Sequence, residues 1–148
     1  MSKTDNVTDK ATSSKTSKTS KTLGETEIVN VWHYNLVEEM ENVCKLVEQG
    51  FNTIAMDTEF PGIIYSNTNS QLAHLSSWYD NVRNNVNVLN LIQVGITLSD
   101  DQGNKPEPVN TWQFNLQFDL DNDQFANDSI AILKEAGIDF EELMVSFI

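Results

Sequence analysis

The chain has 148 residues, with 22 acidic side chains against nine lysines and arginines and a formal net charge of −13. That balance argues against a broad phosphate-gripping surface, because sequence-independent affinity for nucleic acid comes mainly from Lys and Arg. The single cysteine, Cys44, excludes an internal disulfide and a cysteine-based zinc site; no apolar run is long enough to span a membrane or to form a secretory signal, so a soluble intracellular protein is expected.

Residues 1–22 are Lys, Ser, Thr and Asp with almost nothing apolar, and Ser-Lys-Thr occurs three times in succession from Ser14 to Thr22. Such a segment cannot offset its ordering entropy by burial, so a disordered tail is predicted over 1–22 and one domain over 23–148. Five lysines against two aspartates give the tail +3, which leaves −16 on the domain.

Leu36, Met40, Val43 and Val47 recur at helical spacing, with Asn35 where an N-cap belongs, Glu38 three residues later and Gly50 past the end. Trp32 and Tyr34, just before this helix, read as packing groups, and His33 as a surface residue and not a ligand. The helix leads into a strand over 53–60. There Ile54, Met56 and Phe60 fall on a face expected to pack, while Thr53, Ala55, Asp57 and Glu59 fall on the other.

After Pro61-Gly62, the stripe Leu72, Leu75, Tyr79, Val82 and Val86 predicts a second helix with a core-facing side. His74 and Arg83 lie off the stripe, and Arg83, the only arginine, is expected to pair with an acid, the alternative being a reach to a phosphate. Residues 91–98 read as a strand. Trp112, Phe114, Leu116, Phe118 and Leu120 alternate strictly with polar residues, which predicts a half-buried strand over 112–120. Phe125, Ser129, Ile132, Leu133 and Ala136 trace a third helix ended by Gly137, with Asp121 and Asp123 read as its capping acids. The acid run 119–123 lacks the glycine and distant glutamate of a calcium loop.

The feature with chemical content is Asp57-Thr58-Glu59. Residues i and i+2 of a strand point the same way, about 6.6 Å apart, so these two carboxylates are either solvated acids on an exposed face or a pair able to share divalent ions.

Met56-Asp57-Thr58-Glu59-Phe60-Pro61-Gly62, residues 85–95, Thr111-Trp112-Gln113-Phe114-Asn115 and Asp128-Ser129-Ile130 together resemble, in order and spacing, the Pop/Caf-type deadenylase family, the nuclease subunit of the Ccr-Not complex. The resemblance runs from about Val31 to about Phe140. It implies the N-terminal part of an α/β, ribonuclease H-like fold, its sheet opening as a three-stranded antiparallel meander with flanking helices. It also implies a 3′→5′ exoribonuclease that shortens poly(A) and releases 5′-AMP by hydrolysis assisted by two Mg²⁺ or Mn²⁺ ions. Asp57 would bridge both ions, Glu59 would hold one, and Phe60 would reach the terminal base if the chain twists at Pro61; otherwise Phe60 packs. Poly(A) RNA, a Not-type scaffold subunit and a second deadenylase subunit are the implied partners, in the cytoplasm and nucleus.

The family's third and fourth acids and its catalytic histidine belong to segments beyond position 148. Asp139, Glu141 and Glu142 precede the second motif and are not taken as ligands, and residues 143–148 are expected to leave the family pattern. The chain alone is therefore expected to be inactive, and a noncatalytic interaction module or inactive fragment of the same family is the alternative.

Deleting residues 1–22 should leave the thermal midpoint almost unchanged, since the segment has no apolar periodicity. Strong hydrogen-exchange protection across 14–22 would contradict that reading.

Overall fold

The computed structural model describes residues 27–66 and 75–148; the predicted tail, Leu72 and His74 lie outside them. Four strands and four helices follow in the order β1 (Glu27–Val31), α1 (Leu36–Glu48), β2 (Thr53–Glu59), α2 (Leu75–Val88), β3 (Gln93–Ser99), β4 (Val109–Asn115), α3 (Asn127–Glu135) and α4 (Phe140–Val145). The strands form one sheet in the order β1-β4-β3-β2. β2, β3 and β4 make the expected antiparallel meander, and β1, which the sequence reading did not separate from the helix that follows it, adds a parallel edge strand beside β4.

Period-two alternation gives the sheet two unlike faces. Val29, Val31, Ile96, Leu98, Trp112 and Phe114 fall on one, where Val43, Leu36 and Leu46 of α1 cover them. The indole Nε1 of Trp112 donates to Glu39 Oε2 at 3.0 Å, so the largest side chain of this core is also tied to the covering helix. A second core gathers at the sheet's end. It joins Trp32 and Ile92 to Phe118, Ile130, Leu133, Phe140 and Leu143, with Phe118 edge-on to Phe140 at 5.9 Å between ring centroids.

Phe118 also accounts for a difference from the predicted strand. β4 stops at Asn115: Leu116 still donates its amide to Ile92 O, but Ile92 N goes to Glu59 O and not back to Leu116, and the chain then turns, sending Phe118 into the second core. Asp119 and Asp123 organise that turn: Asp123 Oδ2 accepts from Asp119 N at 2.7 Å and its Oδ1 from Asn90 Nδ2 at 2.8 Å. Hydrogen bonds, the Asn122 side chain's foremost, hold the Asp119 carboxyl below its usual range. Asp121 and Asp123 therefore do not cap the third helix. That helix starts at Asn127, with Ala126 in the cap position and no side-chain cap.

Asn35 likewise stands at the start of α1 without capping it. Its Oδ1 accepts from Trp32 N at 2.7 Å and its Nδ2 donates to Asn30 O at 3.0 Å, closing the turn between β1 and α1. Trp32 is buried as expected, but Tyr34 is exposed at the outside of that turn. His33 is a surface residue, its amide donating to Ser146 O.

Two apolar faces expected to be core are open. Ile54 and Met56 share the α1-covered side of the sheet, but β2 is the far edge strand and α1 does not reach it, which leaves Met56 71% exposed. On α2, Tyr79, Val82 and Val86 are exposed too; Val82 and Val86 border an open groove with Phe60 and Ile63 and are not packed into a core. Arg83 makes no ion pair among the described residues, where the one salt bridge is Lys45 to Glu41.

The segment after β2 is held more tightly than its irregular backbone suggests. Glu59 O accepts from Ile92 N and Pro61 O from Ala126 N, both at 2.9 Å, and Pro61 is fully buried. Asn85 of α2 makes four bonds to main chain: Oδ1 accepts from Ile64 N and Tyr65 N, and Nδ2 donates to Tyr65 O and Asn81 O. Gly62 has φ +103°, and a Cβ there would collide with the Ser129 side chain and the Ala126 methyl.

Gly62→Ala should therefore destabilise the protein by about 2–4 kcal/mol, adding a collision to an unfavourable dihedral. Gly103→Ala, also at positive φ (+85°) but with no atom within 4 Å of the added Cβ, should cost about 1 kcal/mol. Equal losses in chemical denaturation would show that the contact with α3 is not what fixes Gly62.

Candidate metal centre

On the sheet face opposite α1, the register places Asp57 beside Gly95 and then Gln113, and Glu59 beside Gln93 and then Asn115. Asn30 of β1 continues the first row. One row earlier, Ala55 pairs with Thr97 and Thr111, whose hydroxyls lie 2.9 Å apart. The result is a face of acids, amides and hydroxyls with a gap at Gly95, where an added Cβ would meet nothing closer than 3.9 Å.

Asp57 and Glu59 line a cleft of about 270 Å³ over that gap, together with Gln93, Thr97, Thr111 and Gln113. A second groove of about 460 Å³ runs from Glu59 across Gln93 and Asn115 to the turn between α3 and α4. Asp57 is exposed and Glu59 half-buried. Asp57 Oδ1 accepts from Thr58 N at 2.9 Å. No cation from another described residue forms a salt bridge with either acid.

Both predicted acids thus share one face and one cleft. Phe60 is separate from them: it lines an apolar groove with Thr58, Ile63, Tyr65, Trp78 and Val82 and does not line the carboxylate cleft. Asp139 caps α4, its Oδ1 accepting from Glu141 N and Glu142 N at 3.0 Å, which explains the acid run near the end without a metal. Among the described residues no group of three or more His, Cys, Asp or Glu side chains gathers at one point.

The donor set nevertheless fits a hard cation. Carboxylate and amide oxygens suit Mg²⁺ and Mn²⁺, the one soft side chain along the cleft, Met56, belongs to the opposite sheet face from the two acids, and the strand spacing lets two carboxylates serve neighbouring positions. Reading the sequence alone missed the amides Gln93 and Asn115. Their signal was available: they occupy the same alternating face as the acids once β3 and β4 are placed in register.

A model of the CAF1 family ribonuclease matches residues 31–146, most of the chain. The chain belongs to the CAF1 ribonuclease family. The family match continues to Ser146, past the point near Phe140 where the motif resemblance stops, so most of the closing segment does not leave the family pattern. Its anchoring agrees, since Phe140 and Leu143 are buried and Ile148 donates its amide to Asn115 O at 3.1 Å.

Among relatives of this CAF1-family chain, the poly(A) ribonuclease pop2 of Schizosaccharomyces pombe is 40% identical over 115 residues, which are 78% of this chain and 34% of that protein. The probable CCR4-associated factor 1 homolog 7 of Arabidopsis thaliana is 41% identical over 120 residues, 77% of this chain and 43% of that protein. The fold matches the Mg²⁺- and Mn²⁺-bound structure of S. pombe Pop2p with a TM-score of 0.73 and 39% identity, covering 82% of this chain and 48% of that one. It also matches a structure of the yeast NOT1 MIF4G domain co-crystallised with CAF1, with a TM-score of 0.62 and 35% identity, covering 82% and 43%. The chain spans less than half the length of each of these relatives.

With metal removed by chelator, Asp57→Asn and Glu59→Gln should keep or slightly raise the thermal midpoint, because each relieves repulsion between neighbouring carboxylates and neither breaks a core contact. Unfolding of both variants in chelator would mean that the two acids serve the fold.

Proposed function

We propose that this chain carries the first metal-binding motif of a poly(A)-specific 3′→5′ exoribonuclease, which shortens RNA tails and releases 5′-AMP within a Ccr-Not-type assembly. The observation that carries the reading is the placing of Asp57 and Glu59 on one sheet face, over an open cleft, in a chain of the CAF1 ribonuclease family. Further support comes from the similar Pop2p structure, which is a Mg²⁺- and Mn²⁺-bound form, and from a CAF1 structure solved with a NOT1 MIF4G domain.

Bound divalent ions would supply the Lewis acidity for phosphodiester hydrolysis. Asp57 and Glu59 would hold them, and the small groups at Ala55 and Gly95 leave room above the strands for a phosphate. The ions also answer the objection that a domain of this charge repels RNA, because they invert the local potential at the carboxylates. A Not-type scaffold and a second deadenylase subunit are the proposed partners.

Only two of the family's four acids lie in this chain, so 1–148 by itself should release no AMP from poly(A) with Mg²⁺ or Mn²⁺. In a chain extended to full family length, Asp57→Asn or Glu59→Gln should lower the tail-shortening rate at least about 100-fold while leaving the fold intact. Near wild-type rates in both variants would remove the metal assignment. The second reading is a noncatalytic module of the same family, which would keep a scaffold-binding surface without the chemistry. It would be upheld if a full-length chain with both acids intact bound a Not-type scaffold but failed to shorten poly(A).

A further inference from the structure

Gln93 is the most enclosed polar side chain of the carboxylate cleft, 8% exposed, and it is the cross-strand partner of Glu59. The orientation of its amide follows from its neighbours. Asn115 Nδ2 faces the main-chain oxygens of Val31 and Gln113, at 3.2 and 3.3 Å, and Asn30 Oδ1 at 3.4 Å. Main-chain oxygens only accept, so the nitrogen of Asn115 must lie on that side and its Oδ1 on the other. Gln93 meets that Oδ1 at 2.7 Å and must present Nε2 to it.

Gln93 Oε1 is then directed away from Asn115. No donor among the described residues reaches it, and none of their buried side-chain nitrogens or oxygens is without a partner, so Oε1 opens on the cleft. Directly opposing strand residues have Cβ atoms about 4.5–5.5 Å apart. Gln93 Oε1 and the Glu59 carboxylate are therefore two acceptors facing one small space, with no donor from the described residues between them.

Two acceptors in that position call for a cation or for hydrogens polarised by one. Mg²⁺ in particular keeps several of its waters when carboxylates bind it. We propose that Gln93 is a positioning residue for the metal centre, its Oε1 accepting from water in the hydration shell of the divalent ion held by Glu59. The inference rests on the metal reading of Asp57 and Glu59 and adds a neutral oxygen, fixed through Asn115 to the end of β1.

The test is Mn²⁺ titration of the 148-residue chain by calorimetry, with thermal midpoints in chelator recorded for each variant. Gln93→Met, close in length and without an oxygen, should weaken binding about three- to ten-fold, the range expected for one hydrogen bond. Asp57→Asn and Glu59→Gln should weaken it more. Loss of affinity in the acid variants with none in a folded Gln93→Met would overturn the role of Gln93 alone. Unchanged affinity in all three would overturn the metal reading itself.

A second measurement does not depend on how the variant folds. In the wild-type chain, Mg²⁺ should shift the side-chain amide resonance of Gln93 while those of the solvent-facing Gln102, Gln117 and Gln124 stay in place. A Gln93 resonance that did not move at saturating Mg²⁺ would contradict the proposal.

Discussion

The pairing of β2 with β3 is the constraint on which the rest depends. A strand's side-chain period is two, so a slip of one residue would turn Asp57 and Glu59 to the α1 side and Met56 to the amides. The register is fixed at both ends of the contact. Thr53 pairs with Ser99 where β2 begins, and Glu59 pairs with Gln93 just before Ile92 N takes Glu59 O. Beyond that point Pro61, Gly62 and the Asn85 bonds hold the chain against α3 and α2. Rigid elements on three sides thus position two acids whose chemistry requires a defined separation.

The opposite character of the two sheet faces follows from the same alternation. One face buries Trp112 and Leu98 against α1, where apolar burial at roughly 25 cal/mol per Å² is the main source of stability. The other face buries little carbon. It keeps its polar groups satisfied through short amide and hydroxyl contacts, Gln93 to Asn115 and Thr97 to Thr111. A carboxylate pair on such a face escapes most of the desolvation penalty that an apolar core would impose.

Much of this was legible in the residues. The D-x-E strand, the two strands that complete the meander and the three longer helices all follow from periodicity, and the motif order pointed to the family. What failed depended on tertiary context. Asp121 and Asp123 look like helix caps until Phe118 is seen to pull the chain into a turn that uses Asp123 instead. Ile54, Met56, Tyr79 and Val86 look like core, because periodicity reports which residues share a face and not whether anything covers it. β1 escaped notice because Ile28, Val29 and Val31 make a short run, and its partner β4 lies some 80 positions later.

An anomalous-difference map from crystals of the chain grown with Mn²⁺ tests the central claim most directly. The account predicts a peak within about 2.5 Å of carboxylate oxygens of Asp57 or Glu59, on the side of the sheet facing Gln93. A strong peak only at the Asp119–Asp123 turn, or none on the carboxylate face at saturating Mn²⁺, would contradict it.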